Sequence, residues 1–412
     1  MKMNRIVLLA AATALALAPL APSGLPVPAG RGAPAGAGVR AVAVAVRVFD
    51  GGRFIGDLAL QDFELSADGV PQTVEALYRV GKNAITRRDG NKDFLPFVGR
   101  RFTLLFQLFE YHPKIADAVR ALFTEELRPG DSLEIQTPVR NYKLSDQAFA
   151  AKPPKVLADE MIDIIRNDIN SGSMAYNSLM RELKRHIRAI GGSNTGGSVD
   201  TDSEGADVGL EMLLPRYREI LQKLDVLRRV DSGQMIQYAR TLKAQIGEKL
   251  VFYVYQREFR PELSPQAIDD IVGNNQEKFN VLGDVQEIFQ TYQQSFAMDV
   301  PAMKEAFADS SANFNLLFMN KDPERIGLVV MREQNTDIFR AFADIAAATG
   351  GTVDTSQNPA AAFKNVLRAA DEYYLLYFTP TAEAAGGAFH PLSIRVKDKN
   401  YKVVHRMGYF GS

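Results

Sequence analysis

Two places in this chain put side chains where a strand gives way to a loop, the usual seat of chemistry in an α/β protein. The apolar run 98–106 reads as a buried strand leading towards a helix over 114–127, and the positions just after it hold Gln107, Phe109, Glu110 and Tyr111. A second apolar run ends at Tyr255 and is followed by Gln256, Arg257 and Glu258. An amide and a phenol offer a hard cation no charged oxygen, and Arg257 adds a positive charge. Glu110 and Glu258 are the carboxylates from which the two loops could rebuild a pair, although solvated loop charges account for both.

The densest acidic stretch lies elsewhere. Asp200, Asp202 and Glu204 precede Gly205, and Glu211 takes the twelfth place, which approximates a calcium loop with oxygens at alternate positions and a glycine at the sharp turn. Glu204 is longer than that pattern wants, and Asp207 fills the usual hydrophobic place. Residues 191–197 are too glycine-rich for the helix that should enter such a loop. A flexible acidic loop is the plainer reading, so no cofactor is expected, with calcium or magnesium as the alternative.

Four histidines, His112, His186, His390 and His405, are scattered and lack the His-Glu-x-x-His spacing of a zinc hydrolase. The sequence also has no Gly-Lys-Ser/Thr phosphate loop and no Gly-x-Ser-x-Gly elbow. The aromatic cluster Tyr373, Tyr374, Tyr377 and Phe378 has the alternation of a strand packed on two faces.

The elements that must position these residues come from the whole chain. Its 412 residues, 46% hydrophobic and 24% charged, are enough for one large or two modest domains with a real core. Lysine and arginine total 48 against 49 acidic residues, which leaves no overall field to gather a nucleic acid. The absence of cysteine removes disulfides, thiolate zinc sites, cysteine nucleophiles and an N-terminal lipidated cysteine.

Residues 1–21 have the layout of a secretory signal: Lys2 and Arg5, then an apolar run over 6–20, shorter than the ~20 residues a spanning helix needs. An exported protein is expected, periplasmic or secreted. Residues 22–38, rich in Pro, Gly and Ala, read as a flexible linker. Residues 39–80 read as an N-terminal β-unit turning at Asp50-Gly51-Gly52 and Asp68-Gly69, and 81–96 as the crossing to the next domain.

Over 97–380 strands and helices alternate. The runs 102–106, 250–255 and 314–319 suit a parallel sheet covered on both faces, and 133–143 an edge hairpin. Helical stripes follow Pro215 and Asp337, and the second stops at Gly350-Gly351. A helical insert with the acidic loop occupies 151–231. Its helix 179–190 carries Arg181, Lys184, Arg185, His186 and Arg188, and Asp159, Glu160, Asp163 and Asp168 on the preceding helix are expected to balance them. Residues 381–412 form a loop and a hairpin, 389–396 with 402–410, that should pack on the N-terminal unit through contacts between 42–49 and 403–410.

These motifs add up to a resemblance. The segment 44–80, with Val48-Phe49-Asp50-Gly51 and Leu60-Gln61-Asp62-Phe63-Glu64-Leu65, then Ala348-Thr349-Gly350-Gly351, Tyr374-Leu375-Leu376-Tyr377-Phe378-Thr379-Pro380 and Arg406-Met407-Gly408-Tyr409, resembles bacterial secreted von Willebrand factor A-related proteins. The resemblance implies a doubly wound, mostly parallel sheet with helices on both faces and a ligand crevice at the strand ends. It also implies an Asp-x-Ser-x-Ser cation site, from which Gln107, Phe109 and Tyr111 depart, so the adhesion site is degenerate. The function expected is a noncatalytic exported scaffold that binds a protein partner, not a nucleic acid, without a metal. Membrane contact would come only through the signal segment or helix 179–190. The alternatives are a cation-dependent adhesion module with unconventional ligands and a hydrolase with an unrecognised site.

Overall fold

The computed structural model describes residues 41–144, 146–195, 209–294, 297–334, 336–380 and 387–411. The expected signal segment 1–21, the linker 22–38, and Asp200, Asp202 and Glu204 lie outside them. The N-terminal part holds β1 (Val42–Asp50), β2 (Arg53–Phe54), β3 (Phe63–Ala67), β4 (Val70–Gln72), β5 (Ala76–Gly81) and β6 (Ala84–Gly90). The central part begins with β7 (Arg100–Gln107), α1 (Lys114–Ala121), β8 (Ser132–Gln136), β9 (Asn141–Leu144), α2 (Asp146–Ala151), α3 (Pro154–Gly172) and α4 (Met174–Thr195). It continues through α5 (Leu210–Arg228), α6 (Ser232–Lys243), β10 (Glu248–Gln256), β11 (Phe259–Leu263), α7 (Pro265–Asn274), α8 (Phe279–Gln293) and α9 (Val300–Asp309). Then come β12 (Ala312–Met319), β13 (Val329–Glu333), α10 (Thr336–Ala348), β14 (Val353–Asp354) and α11 (Pro359–Ala370). The chain closes with β15 (Glu372–Phe378), β16 (Phe389–Val396), β17 (Lys402–Val404) and β18 (Gly408–Phe410).

Four sheets result among the described residues. One has the order β14-β12-β10-β7-β8-β9, in which β7, β8, β10, β12 and β14 pair in parallel and β9 closes the edge antiparallel to β8. Alternation sends Leu104, Phe106, Phe252 and Val254 into a core under α1, α3 and α11. Leu105, Val251, Tyr253 and Phe314 go into a second core under α6, α9 and α10. The other three sheets are antiparallel: β17-β1-β15-β5-β6 with β2, β18-β16-β3-β4, and the pair β11-β13. The first two enclose a third core around Val46, Leu77, Tyr374, Leu376 and Ile394. A fourth core gathers α4, α5, α7 and α8 around Leu183, Leu214, Tyr217, Ile271 and Val285.

The fold class expected from sequence is corrected by these pairings. A doubly wound, mostly parallel von Willebrand factor A-like sheet does not describe a chain in which ten of fourteen strand pairings among the described residues are antiparallel. Its one sheet with parallel pairs has mixed direction. The fold is mixed α/β. The physical reason is that a buried antiparallel strand is as apolar as a parallel one: β15, Glu-Tyr-Tyr-Leu-Leu-Tyr-Phe, lies between β1 and β5 with both neighbours antiparallel.

Smaller departures have local causes. Residues 81–96, read as a crossing, contain β6, which bonds β5 with a register shift at Arg79/Val80. Pro215 stands inside α5, which begins at Leu210, and α4 continues through Gly191 and Gly192 to Thr195. Residues 389–396 and 402–410 do not form one simple hairpin. β16 pairs with β3 and with β18, whereas β17 pairs with β1 through Arg47 opposite Val404 and Phe49 opposite Lys402. That pairing supplies the contact between 42–49 and 403–410.

Candidate functional site at the strand ends

Gln107 ends β7 half-buried, beside Tyr255 in the β10 ladder. Gln256, at the end of β10, is buried, and its Oε1 accepts hydrogen bonds from the backbone N–H of Phe109 at 3.2 Å and of Glu110 at 3.1 Å. A neutral amide thus ties the loop after β7 to the end of β10. The Arg257 N–H donates to the Met319 carbonyl at 2.8 Å, and its guanidinium lies 3.5 Å from Glu333 and 5.7 Å from the Phe318 ring centre. Tyr111 lies beneath the Arg166 guanidinium, 5.2 Å from its ring centre, and burial raises the pKa of its phenol against the pull of Arg166.

The helical unit roofs this end of the sheet. Tyr176, in the first turn of α4, stacks on Phe109 with ring centres 4.7 Å apart. Lys321 lies 4.8 Å from the Tyr176 ring centre and 3.7 Å from the Glu110 carboxylate. Burial raises the Tyr176 phenol above its ordinary pKa, and Glu258, Glu324 and Glu110 add to the rise.

Beneath the roof lies a buried charge network. Arg228 Nε donates to Glu258 at 3.2 Å, and the same guanidinium meets Asp337 at 3.0 Å and the Gln334 carbonyl. Arg260 donates twice to Glu262, at 3.1 and 2.7 Å, and to the Thr291 carbonyl at 3.4 Å. Burial pushes the Glu258 carboxyl up to about 7 despite Arg228, and raises Asp225 despite Arg260 and Arg228. The cavity between roof and network, lined by Phe109, Tyr176, Asp225, Arg228 and Glu258 among others, has a volume of ≈ 20 Å³, room for about one water molecule. This arrangement can exchange a proton at Glu258, but offers no space for a substrate beside it.

The structure therefore brings Phe109, Glu110 and Gln256 together and sends Arg257, Glu258 and Tyr111 to separate partners. Glu110 and Glu258 do not form a carboxylate pair, because Lys321 takes the first and Arg228 the second. Tyr176, Asp225, Arg228, Arg260 and Lys321 were not singled out from sequence. Arg260 meets its near neighbour Glu262, but the contacts of Tyr176 with Phe109, of Arg228 with Glu258 and of Lys321 with Glu110 join residues far apart in the chain, and no local spacing signals them. Glu211 stands exposed in the first turn of α5. No group of three or more His, Asp or Glu side chains placed to hold a metal ion occurs among the described residues.

The basic helix differs from expectation in its partners. Asp159 and Glu160 pair with Arg120 and Lys152, Asp163 with Arg166, and Asp168 accepts from the Thr137 and Tyr142 hydroxyls. None of the four pairs with α4 among the described residues. Lys184 pairs instead with Glu324, and Glu182 with Arg216. Arg181, Arg185 and Arg188 are exposed at four- and three-residue spacing on one stripe of the helix, without an ion pair among the described residues. The opposite face, Met180, Leu183, Ile187 and Ile190, is buried in the core of the helical unit.

No family model matches this sequence, and no curated protein does. Among solved structures, the human COPII-coat protein Sec24c is similar over 76% of this chain and 44% of that chain, at 7% sequence identity and a TM-score of 0.28. The match spans less than half of that protein, carries no argument about fold or function, and lends no support to a von Willebrand factor A relationship.

Proposed function

We propose that this chain is a noncatalytic exported binding module that holds an acidic protein partner against the outer face of α4. The observation that carries the reading is the stripe of Arg181, Arg185 and Arg188, exposed and without ion pairs among the described residues, on a helix whose apolar face is already buried. Three guanidiniums on one rigid helix suit carboxylates presented at matching spacing, and each can bind one in bidentate fashion. A protein surface is favoured over a lipid surface because an interfacial helix needs a free apolar face to insert, and that face of α4 packs on α5. The noncatalytic part of the reading is supported by the strand ends, where Gln256, Arg257 and Glu258 each engage other groups of the protein. Export is supported by the layout of residues 1–21.

The test is affinity capture from the envelope fraction with the wild-type chain and a variant carrying Arg181→Glu, Arg185→Glu and Arg188→Glu as baits. Melting curves of the two baits first establish equal folding. A partner held by the wild type, released by the triple reversal and by raised salt, and indifferent to chelator is the expected result. A partner retained equally by both baits, or one that needs a divalent ion, would remove the proposal.

A further inference from the structure

Far from the strand ends, a crevice separates the antiparallel β-module from the sheet that carries the parallel strands. It has a volume of ≈ 690 Å³, within the range of small-molecule sites, and it lies at a junction between two packed units, where such sites are common. Phe49, Val366 and Val404 give it apolar walls.

Most of its polar lining is already satisfied. Asn313 donates to the Gly350 carbonyl at 2.7 Å, Asn315 donates to Asn313 Oδ1 at 2.8 Å, and Thr352 donates to Asn315 Oδ1 at 3.0 Å. These contacts fix the floor and leave it neutral. Arg47 also lines the crevice, but its charge is matched by Glu248. Three polar groups remain open: the buried Arg47 Nε, which has no hydrogen-bond partner among the described residues, Lys402 and His405. Lys402 is exposed on β17 and has no ion pair among the described residues, and no Asp or Glu lines the crevice. His405 Nδ1 lies 2.7 Å from the Arg406 carbonyl, which places the ring proton on Nδ1 and leaves Nε2 as an acceptor. Burial lowers the His405 pKa against the hydrogen bond to the Arg406 carbonyl.

Two cationic donors, Lys402 and the unpartnered Nε of Arg47, and the acceptor of His405 stand along a largely apolar wall and specify a ligand. We infer that this crevice binds a small carboxylate with an apolar body and a hydroxyl donor, the carboxylate meeting Lys402 Nζ and the hydroxyl meeting His405 Nε2. The site is independent of the arginine stripe on α4.

Calorimetric titration of the full chain with 4-hydroxybenzoate, benzoate and benzylamine tests it. Saturable binding of 4-hydroxybenzoate is expected, with benzoate several-fold weaker and benzylamine not bound. Lys402→Glu, at an exposed position, is expected to weaken 4-hydroxybenzoate at least about tenfold, and His405→Phe to erase the preference for the hydroxyl. Absence of binding by both carboxylates, equal binding of benzylamine, or an unchanged affinity in Lys402→Glu would each overturn the assignment. If His405→Phe melts early, the comparison of benzoate with 4-hydroxybenzoate on the wild type decides the hydroxyl contact.

Discussion

Glu258 shows how far a residue's role depends on what covers it. In sequence it is one carboxylate after a strand; in the fold it is buried beside Arg228, with Asp337 and Asp225 close enough to contribute negative charge to the same network. Its folded pKa, raised from 4.5 to about 7, means that the native state holds a proton that the unfolded chain releases earlier. Stability from this group is therefore fully present below about 4.5 and is lost as pH rises through about 7, a change on the order of 3 kcal/mol. Glu258→Gln keeps an acceptor for Arg228 and has no proton to lose. Urea midpoints measured near about pH 5 and about pH 8 should fall less for the variant than for the wild type. Equal falls would show that Glu258 is not linked to protons. The residues Gln107, Phe109, Tyr111, Gln256 and Glu258 were legible as strand-end residues, but the stacking of Phe109 on Tyr176 and the pairing of Glu258 with Arg228 were not, since both depend on the return of the helical unit.

At the scale of elements, local chemistry was read well where it is punctuation. Of the stripe Phe339, Phe342, Ile345 and Ala346, the last three are buried in the core and Phe339 packs half-buried against it, with Ile338 and Ala341 completing the buried face, and Gly350 ends the helix with φ +71°, a conformation that costs glycine little. Gly351 is required for a different reason: a Cβ there would lie 1.8 Å from the Phe314 carbonyl oxygen, where the chain passes against β12. Gly351→Ala should destabilise the protein by roughly 1–3 kcal/mol, whereas Gly283→Ala, inside α8 with open space around it, should stabilise it by about 0.5–1 kcal/mol. Chemical denaturation of the two variants checks both signs, and a neutral Gly351→Ala would mean that the turn moves freely away from β12. Strand direction was not legible at this scale. The runs 102–106 and 250–255 pair in parallel and β15 pairs antiparallel, yet all three are nearly continuous apolar segments.

At the scale of the whole molecule, the two ends of the described chain form one structure. β1 lies between β15 and β17, and β3 pairs with β16, so the N-terminal strands depend on residues more than 300 positions away. Buried Arg406 donates to the Ala308, Asp309 and Ala43 carbonyls and fastens this module to the rest, as does the pair Arg47 and Glu248. A chain truncated after Asp371 should therefore lose amide-exchange protection over β1 and β5, while β7 and β10 keep theirs; continued protection of β1 would show that the N-terminal strands fold without their C-terminal partners. The sequence by itself determined the helix stripes, the glycine turns, the balanced net charge, the lack of cysteine and the residue types at the strand ends, because these follow from periodicity and composition over a few residues. Only the tertiary structure decided strand direction, the closure of the strand ends by Tyr176 and Arg228, and which arginines of α4 have no ion pair among the described residues. Each of these depends on which distant segment reaches a given surface, and short-range pattern does not encode that.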